Sequence, residues 1–175
     1  MSANIEFKAE LADLESAHAT ARDLSGTGPE ILRQTDVFFP CPHGRLKLRI
    51  FDDSHGELIF YERADAPAPR RSNYQIARTA DPYTMLEILQ HVSASSGTVE
   101  KVRSLYIVGQ TRIHIDEVKG LGSFLEIEVV LQDKQSDAKG LHIAQALAKE
   151  FGIMENHLVH VAYVDLLRQR SVSIP

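Results

Sequence analysis

Charged side chains recur at a spacing of two along this chain. Glu6 and Lys8, Lys47 and Arg49, Lys101 and Arg103, Arg112 with His114 and Asp116, and Glu126 with Glu128 all follow it. Alternate residues of a β-strand share a face, so each set would present its charges on one side. The opposite faces are apolar: Ile5 and Phe7, Leu46, Leu48 and Ile50, Val102, Ile113 and Ile115, and Leu125, Ile127 and Val129. One such strand alone is an ordinary solvated sheet face. Solvated faces, however, usually intersperse signs. Here Lys47 with Arg49 and Lys101 with Arg103 are purely basic, and Glu126 with Glu128 purely acidic. Sorted signs suit the concave side of a curled sheet, and a barrel of ~8 strands holds one small ligand. Charges in such a lumen need compensation. A polyanion with divalent cations would compensate both walls. Guanidinium forks match phosphate oxygens, and clustered carboxylates suit Mg²⁺ or Mn²⁺. The pattern predicts a polyphosphate–metal site inside a β-barrel.

The elements that must position these residues follow from the spacing of apolar side chains and turn residues. Strands are predicted at residues 5–11, 31–39, 45–51, 57–63, 72–78, 98–108, 111–118 and 123–131. The third and fourth form a hairpin around Asp52 to Gly56, and Gly109-Gln110 makes a tight turn between the sixth and seventh. Ala64 to Pro69 reads as a loop. Helices are predicted over 14–24, with Asp13 as N-cap, over 82–92, opened by Asp81 and Pro82, and over 137–151, ended by Gly152. A short helical tail is expected over 160–167. The order implies an α+β fold on a largely antiparallel sheet. Its helices would cover the apolar face.

The chain has 175 residues, a net charge of −5, 43% hydrophobic and 25% charged residues. That is an ordinary globular mix with length enough for a real core. It excludes disorder, collagen-like repeats and coiled coils. No stretch approaches the ~18 apolar residues of a membrane helix, and the N-terminus does not read as a signal peptide. The bases gather between Lys8 and Arg112, so an anion site would be local rather than a basic face. Neither nucleic acid nor membrane is an expected partner. Cys41 is the sole cysteine. No internal disulfide can form, which fits a cytoplasmic location.

Taken in order, Glu6-x-Lys8, Leu46-Lys47-Leu48-Arg49, Ser72-x-Tyr74, Lys101-x-Arg103 and His114-x-Asp116-x-x-x-Gly120-Leu121-Gly122-x-Phe124-x-Glu126-x-Glu128 resemble the CYTH superfamily, the triphosphate tunnel metalloenzymes. The resemblance covers roughly residues 4–167, and 1–175 is expected to be a single CYTH-like domain. Its last run is most similar to the class IV adenylyl cyclase branch. The resemblance implies an eight-stranded antiparallel tunnel with helices packed outside. It implies a triphosphate grip of Lys8, Lys47, Arg49, Lys101 and Arg103, with Arg63, Arg71 and Arg112 as further candidates. Glu6, Asp116, Glu126 and Glu128 would hold Mg²⁺ or Mn²⁺ and, with Lys8, form the catalytic set. The implied reaction is conversion of ATP to cyclic AMP and pyrophosphate. Inorganic or thiamine-type triphosphatase activity, and a non-catalytic polyphosphate-binding module, are the alternatives. The class IV likeness also implies a homodimer.

Two positions depart from the family pattern. The family opens Glu-x-Glu-x-Lys, and this chain reads Asn4-x-Glu6-x-Lys8, with a neutral amide at the first place. Many members carry a lysine near the end of the fourth strand, where Arg63 stands here. Among the remaining residues, His114 shares the charged face, where a hydrogen-bonded structural role is favoured over acid–base work. His157 with His160 is read as a loop and cap pair, Cys41 as a bystander between prolines, and Gly120-Leu121-Gly122 as a turn. Replacing Lys101 or Arg103 on so cationic a face is expected to relieve repulsion and leave stability intact.

Overall fold

The computed structural model describes residues 2–63 and 69–172. Eight strands, β1 (Ser2–Glu10), β2 (Glu30–Phe39), β3 (Arg45–Asp52), β4 (His55–Arg63), β5 (Arg70–Thr79), β6 (Gly97–Val108), β7 (Thr111–Val118) and β8 (Gly122–Val130), form one closed barrel. The order around it is β1-β5-β4-β3-β2-β6-β7-β8. All neighbours are antiparallel, and β1 closes the ring between β5 and β8. Closure satisfies the backbone of every strand and leaves no edge. It also gives each strand an inner and an outer row of side chains.

The outer row is apolar because helices cover it. Helix α1 (Leu14–Ser25) lies on β6 and β7, and α3 (Asp137–Glu150) on β8 and β1. Phe7, Tyr106, Ile113, Leu125 and Ile127 pack there against Ala17, Ala21, Ala144 and Leu147. Helix α2 (Pro82–Val92) lies on β3 and β4, setting Met85, Leu86 and Leu89 against Leu48 and Ile50. The helix starts are specified locally. Asp13 accepts from Ser16 N, Asp81 from Thr84 N, and Ser136 from Lys139 N. Helix α4 (Tyr163–Val172) sits at one end of the barrel, where Phe38, Phe124, Ala162, Tyr163 and Val164 form an apolar plug. The segment leading into it is stapled across that end. Val159 N donates to Lys8 O at 2.8 Å, Arg70 Nη2 to His160 O at 3.1 Å, and Arg45 pairs with Asp165 at 2.8 Å.

The strands agree with the spacing to within three residues, the largest gap being β1, which begins at Ser2 rather than Ile5, and two further elements differ. Strand β5 begins at Arg70 rather than Ser72. The final helix starts at Tyr163, after a single 3-10 turn over Glu155–His157. His160 therefore does not begin it. Residues 64–68 of the expected Ala64 to Pro69 loop lie outside the described residues.

One glycine sets the entry of a charged strand. Gly44, at φ 62°, precedes β3, and a Cβ there would stand 2.7 Å from the Tyr61 carbonyl oxygen and 2.9 Å from Glu62 Cγ. Gly44→Ala combines left-handed strain with a backbone clash and should cost about 2–3 kcal/mol. Urea unfolding measures this. A loss under ~0.5 kcal/mol would mean the turn rearranges freely.

Candidate functional site: a charged tunnel

The inner row lines a cavity of about 470 Å³ that contains Asn4, Glu6, Lys8, Lys47, Arg49, Arg63, Lys101, Arg103, Arg112, His114, Glu126 and Glu128. The plug closes one end, through Ala162 and Tyr163. Tyr74, Ile76 and Leu105 line the stretch beyond the charges. Ile76 is 44% exposed, and Ile107, two residues past Leu105 on β6, is 52% exposed, which marks the open mouth. A larger hollow of about 600 Å³ runs over the outer faces of β2, β6 and β7 beside Tyr83. The tunnel, not that hollow, gathers the buried charges.

Those charges are paired across strands. Asp116, wholly buried, lies opposite Arg103 and receives its Nε and Nη2, both at 2.6 Å. Lys101 Nζ stands 3.3 Å away, and the Tyr163 hydroxyl donates to the same carboxylate at 3.0 Å. Burial alone would raise this carboxyl, but Arg103 and Lys101 hold it well below the usual carboxylate range. Arg103 also donates to Glu126 at 2.7 Å. Glu6 accepts from Arg63 at 2.5 Å. Burial raises its pKa against the pull of Arg63, and Glu126 and Glu128 add to the rise. Lys8 stands 3.8 Å from the Tyr163 ring centroid and 3.9 Å from Glu126. Burial lowers its ammonium to about 8.

The acidic wall fits a divalent ion through a trio the charge spacing only half named. The ligand atoms of His114, Glu126 and Glu128 lie within 4.8 Å of one another. His114 Nδ1 is buried and lacks a well-directed hydrogen bond, 3.8 Å from each glutamate. Burial and Arg103 lower the His114 pKa, which keeps a lone pair for an ion. Glu128 is held below its ordinary value against burial by the positive charge around it, with Arg112 3.0 Å away. A nitrogen and two carboxylates suit Mn²⁺, and Mg²⁺ with added water.

Three expected residues stand in surroundings that the charge spacing does not show. Arg71 lies on the outer face, about half exposed, bound to Asp137 at 2.6 Å. Its neighbour Arg70 holds the inward place, opposite Glu6. Asp116 faces inward as parity requires, but its oxygens are taken by Arg103, Lys101 and Tyr163, so it braces cations. Glu6 stands against Arg63 rather than within the trio. Lys8, Lys47, Arg49, Arg63, Lys101, Arg103 and Arg112 all reach the cavity. The charge spacing missed Asp36, which has no charged residue two places away on β2, and Tyr163, on a helix.

The result is a closed antiparallel barrel with cations on most inner walls, an acidic pair on β8 and further acids at Glu6, Asp36 and Asp116. The CYTH domain matches residues 2–163, and the chain belongs to that family. A Methanocaldococcus jannaschii protein provisionally named an adenylate cyclase is 25% identical over 122 residues, 68% of this chain and 69% of that one. A Pyrococcus horikoshii structure superposes with a TM-score of 0.83 at 22% identity, covering 93% of this chain and 98% of that one. A Hippeastrum structure, named for a proposed adenylyl cyclase with dominant triphosphatase activity, gives 0.64 at 18% identity over 100% and 98%. No helix among the described residues is long and apolar enough to cross a membrane.

Proposed function

We propose that this chain is a metal-dependent enzyme acting on a nucleoside triphosphate, and that its reaction is conversion of ATP to cyclic AMP and pyrophosphate. The observation that carries this reading is the order of groups along the tunnel. Lys8 and Lys101 lie against Tyr163 at the plug, 3.8 and 5.2 Å from its ring centroid. Glu126 and His114 come next. Glu128, Arg112 and Tyr74, the last two 3.3 Å apart, follow toward the mouth. A triphosphate drawn to the deep cations leaves its α-phosphorus beside the acids and its organic end among Tyr74, Ile76 and Leu105. Inorganic tripolyphosphate has no use for that apolar stretch.

Cyclisation forms a bond from the ribose 3′-oxygen to the α-phosphorus as the bond to the β-phosphate oxygen breaks. The hydroxyl proton leaves to solvent, and pyrophosphate departs in line. Lys8, Lys47, Arg49, Lys101 and Arg103 stabilise the charge that gathers on the departing group, from a site already organised before reaction. A divalent ion held by His114, Glu126 and Glu128 would supply Lewis-acid charge to phosphate oxygens and acidify an attacking hydroxyl. The plug and the helices keep water from the deep end.

Hydrolysis of the terminal phosphorus is the second reading. The fold likeness to the Hippeastrum protein, whose name carries a dominant triphosphatase activity, favours it. The test is incubation with ATP, and separately with tripolyphosphate, under Mg²⁺ and Mn²⁺, with products read by phosphorus NMR. Cyclic AMP and pyrophosphate are expected. ADP with orthophosphate would move the assignment to hydrolase, and no turnover of either compound would end the enzymatic reading.

A further inference from the structure

We infer that Asp36 is a positioning residue that fixes Lys47 and Arg49 as one phosphate-gripping arm, as Asp116 fixes Lys101 and Arg103. This rests on the reading of the tunnel as a triphosphate site. The two arrangements are the same device used twice. Arg49 lies opposite Asp36 across β2 and β3, and Arg103 lies opposite Asp116 across β6 and β7. In each, the lysine two residues earlier on the arginine's strand reaches the same carboxylate. Arg49 Nε and Nη2 stand 2.8 and 2.9 Å from Asp36, and Lys47 Nζ 2.7 Å. Asp36 is 2% exposed and Asp116 wholly buried. All four cations line the cavity, and neither aspartate does.

The carboxylates therefore stand behind the cations and act through them. A clamped guanidinium keeps one orientation, so little freedom is lost when phosphate arrives. One negative charge against two leaves each arm net positive. Asp36 also favours the charged form of Lys47. Burial and then Arg49 lower this ammonium to about 7, and Asp36 is the foremost group raising it. Lys47 is further faced by Lys101 from β6 and by Tyr61 from β4, whose ring centroid is 5.8 Å away. Glu57 on β4 stands opposite Arg49. With Asp36 neutralised, Lys47 would give up its proton below neutrality, and the arm would lose both aim and charge.

The test is calorimetric titration of Asp36→Asn and wild type with tripolyphosphate in the absence of metal, across about pH 5.5 to 8.5. Near neutrality the variant should bind about tenfold more weakly, the loss of one charged hydrogen bond. The deficit should shrink toward acid pH, where Lys47 regains its proton, and a purely structural role would not give that recovery. Asp36→Asn/Lys47→Met removes the stranded ammonium with its partner. It should fold even where the single variant does not, and bind weakly without the pH step assigned to Lys47. Wild-type binding accompanied by equal or tighter binding of Asp36→Asn at every pH overturns this inference alone, as does a pH step that persists in the double variant. A wild type that does not bind tripolyphosphate overturns the triphosphate reading and this one with it.

Discussion

Arg103→Ala should lower folding stability by about 3–5 kcal/mol, the usual cost of stranding one partner of a buried ion pair. The charge pattern alone suggested the opposite, because Arg103 shares its strand face with Lys101. The structure supplies what the pattern lacked. Arg103 is 4% exposed and makes three hydrogen bonds of 2.6–2.7 Å, two to Asp116 and one to Glu126. Removing it leaves two buried carboxylates to Lys101, Lys8 and Tyr163. The pH dependence follows with a definite sign. Asp116 has a folded pKa below its unfolded value near ~3.9, so its contribution is present above that value and lost as pH falls through the folded one. Without Arg103 the folded value rises, and acid unfolding should begin at higher pH. Arg103→Ala/Asp116→Asn should recover part of the loss. Urea unfolding at neutral pH decides the matter. A loss below ~1 kcal/mol would place the pair in the class of interactions that hydrophobic replacement matches.

The outline of the barrel is legible because period-two alternation is strict wherever one face meets helices and the other meets charge. Strands β3, β6, β7 and β8 show this in their residues directly, and Asp13 and Asp81 mark where two of the helices begin. What alternation cannot give is which charge on the inner face finds which partner. Asp36 was missed because no charged residue stands two places from it on β2, where Gln34 and Phe38 share its face, and one charge makes no pattern. Arg70 and Arg71 are adjacent, so one must face inward. The inward Ser72 and Tyr74 already imply Arg70 by parity, but a strand start drawn at Ser72 hid it. Tyr163 reaches the tunnel from a helix that the strand order does not position.

Asp116 is the instructive case. Parity gives its face but not its role, because a carboxylate near other carboxylates has the same spacing whether it holds a metal or braces cations. The difference is a matter of cross-strand register. Asp116 lies opposite Arg103 and takes both of its nitrogens together with Lys101 and the Tyr163 hydroxyl, whereas Glu126 and Glu128 share the neighbourhood of His114 and each meet a single arginine. A side chain one strand over thus decides which acids stay open to an ion.

That distinction makes Glu128→Gln the sharpest probe of chemistry. The change keeps shape and removes charge from the trio of His114, Glu126 and Glu128. Its partner Arg112 is one-third exposed and retains Tyr74 at 3.3 Å, so the fold should tolerate it far better than loss of Arg103. Turnover of the triphosphate substrate should fall by about 10²–10³-fold, on the scale of losing one preorganised electrostatic contact. The metal requirement should shift with it, toward higher Mn²⁺ at half-maximal rate, because a divalent ion loses a charged oxygen ligand. Asp116→Asn separates the two acids. It should cost stability and weaken triphosphate binding through Arg103 and Lys101, while leaving the Mn²⁺ concentration at half-maximal rate near the wild-type value. If Glu128→Gln instead turns over at the wild-type rate with the same Mn²⁺ dependence, and Asp116→Asn abolishes that dependence, the ion belongs to Asp116. In that event Arg103 must leave its carboxylate whenever the ion binds.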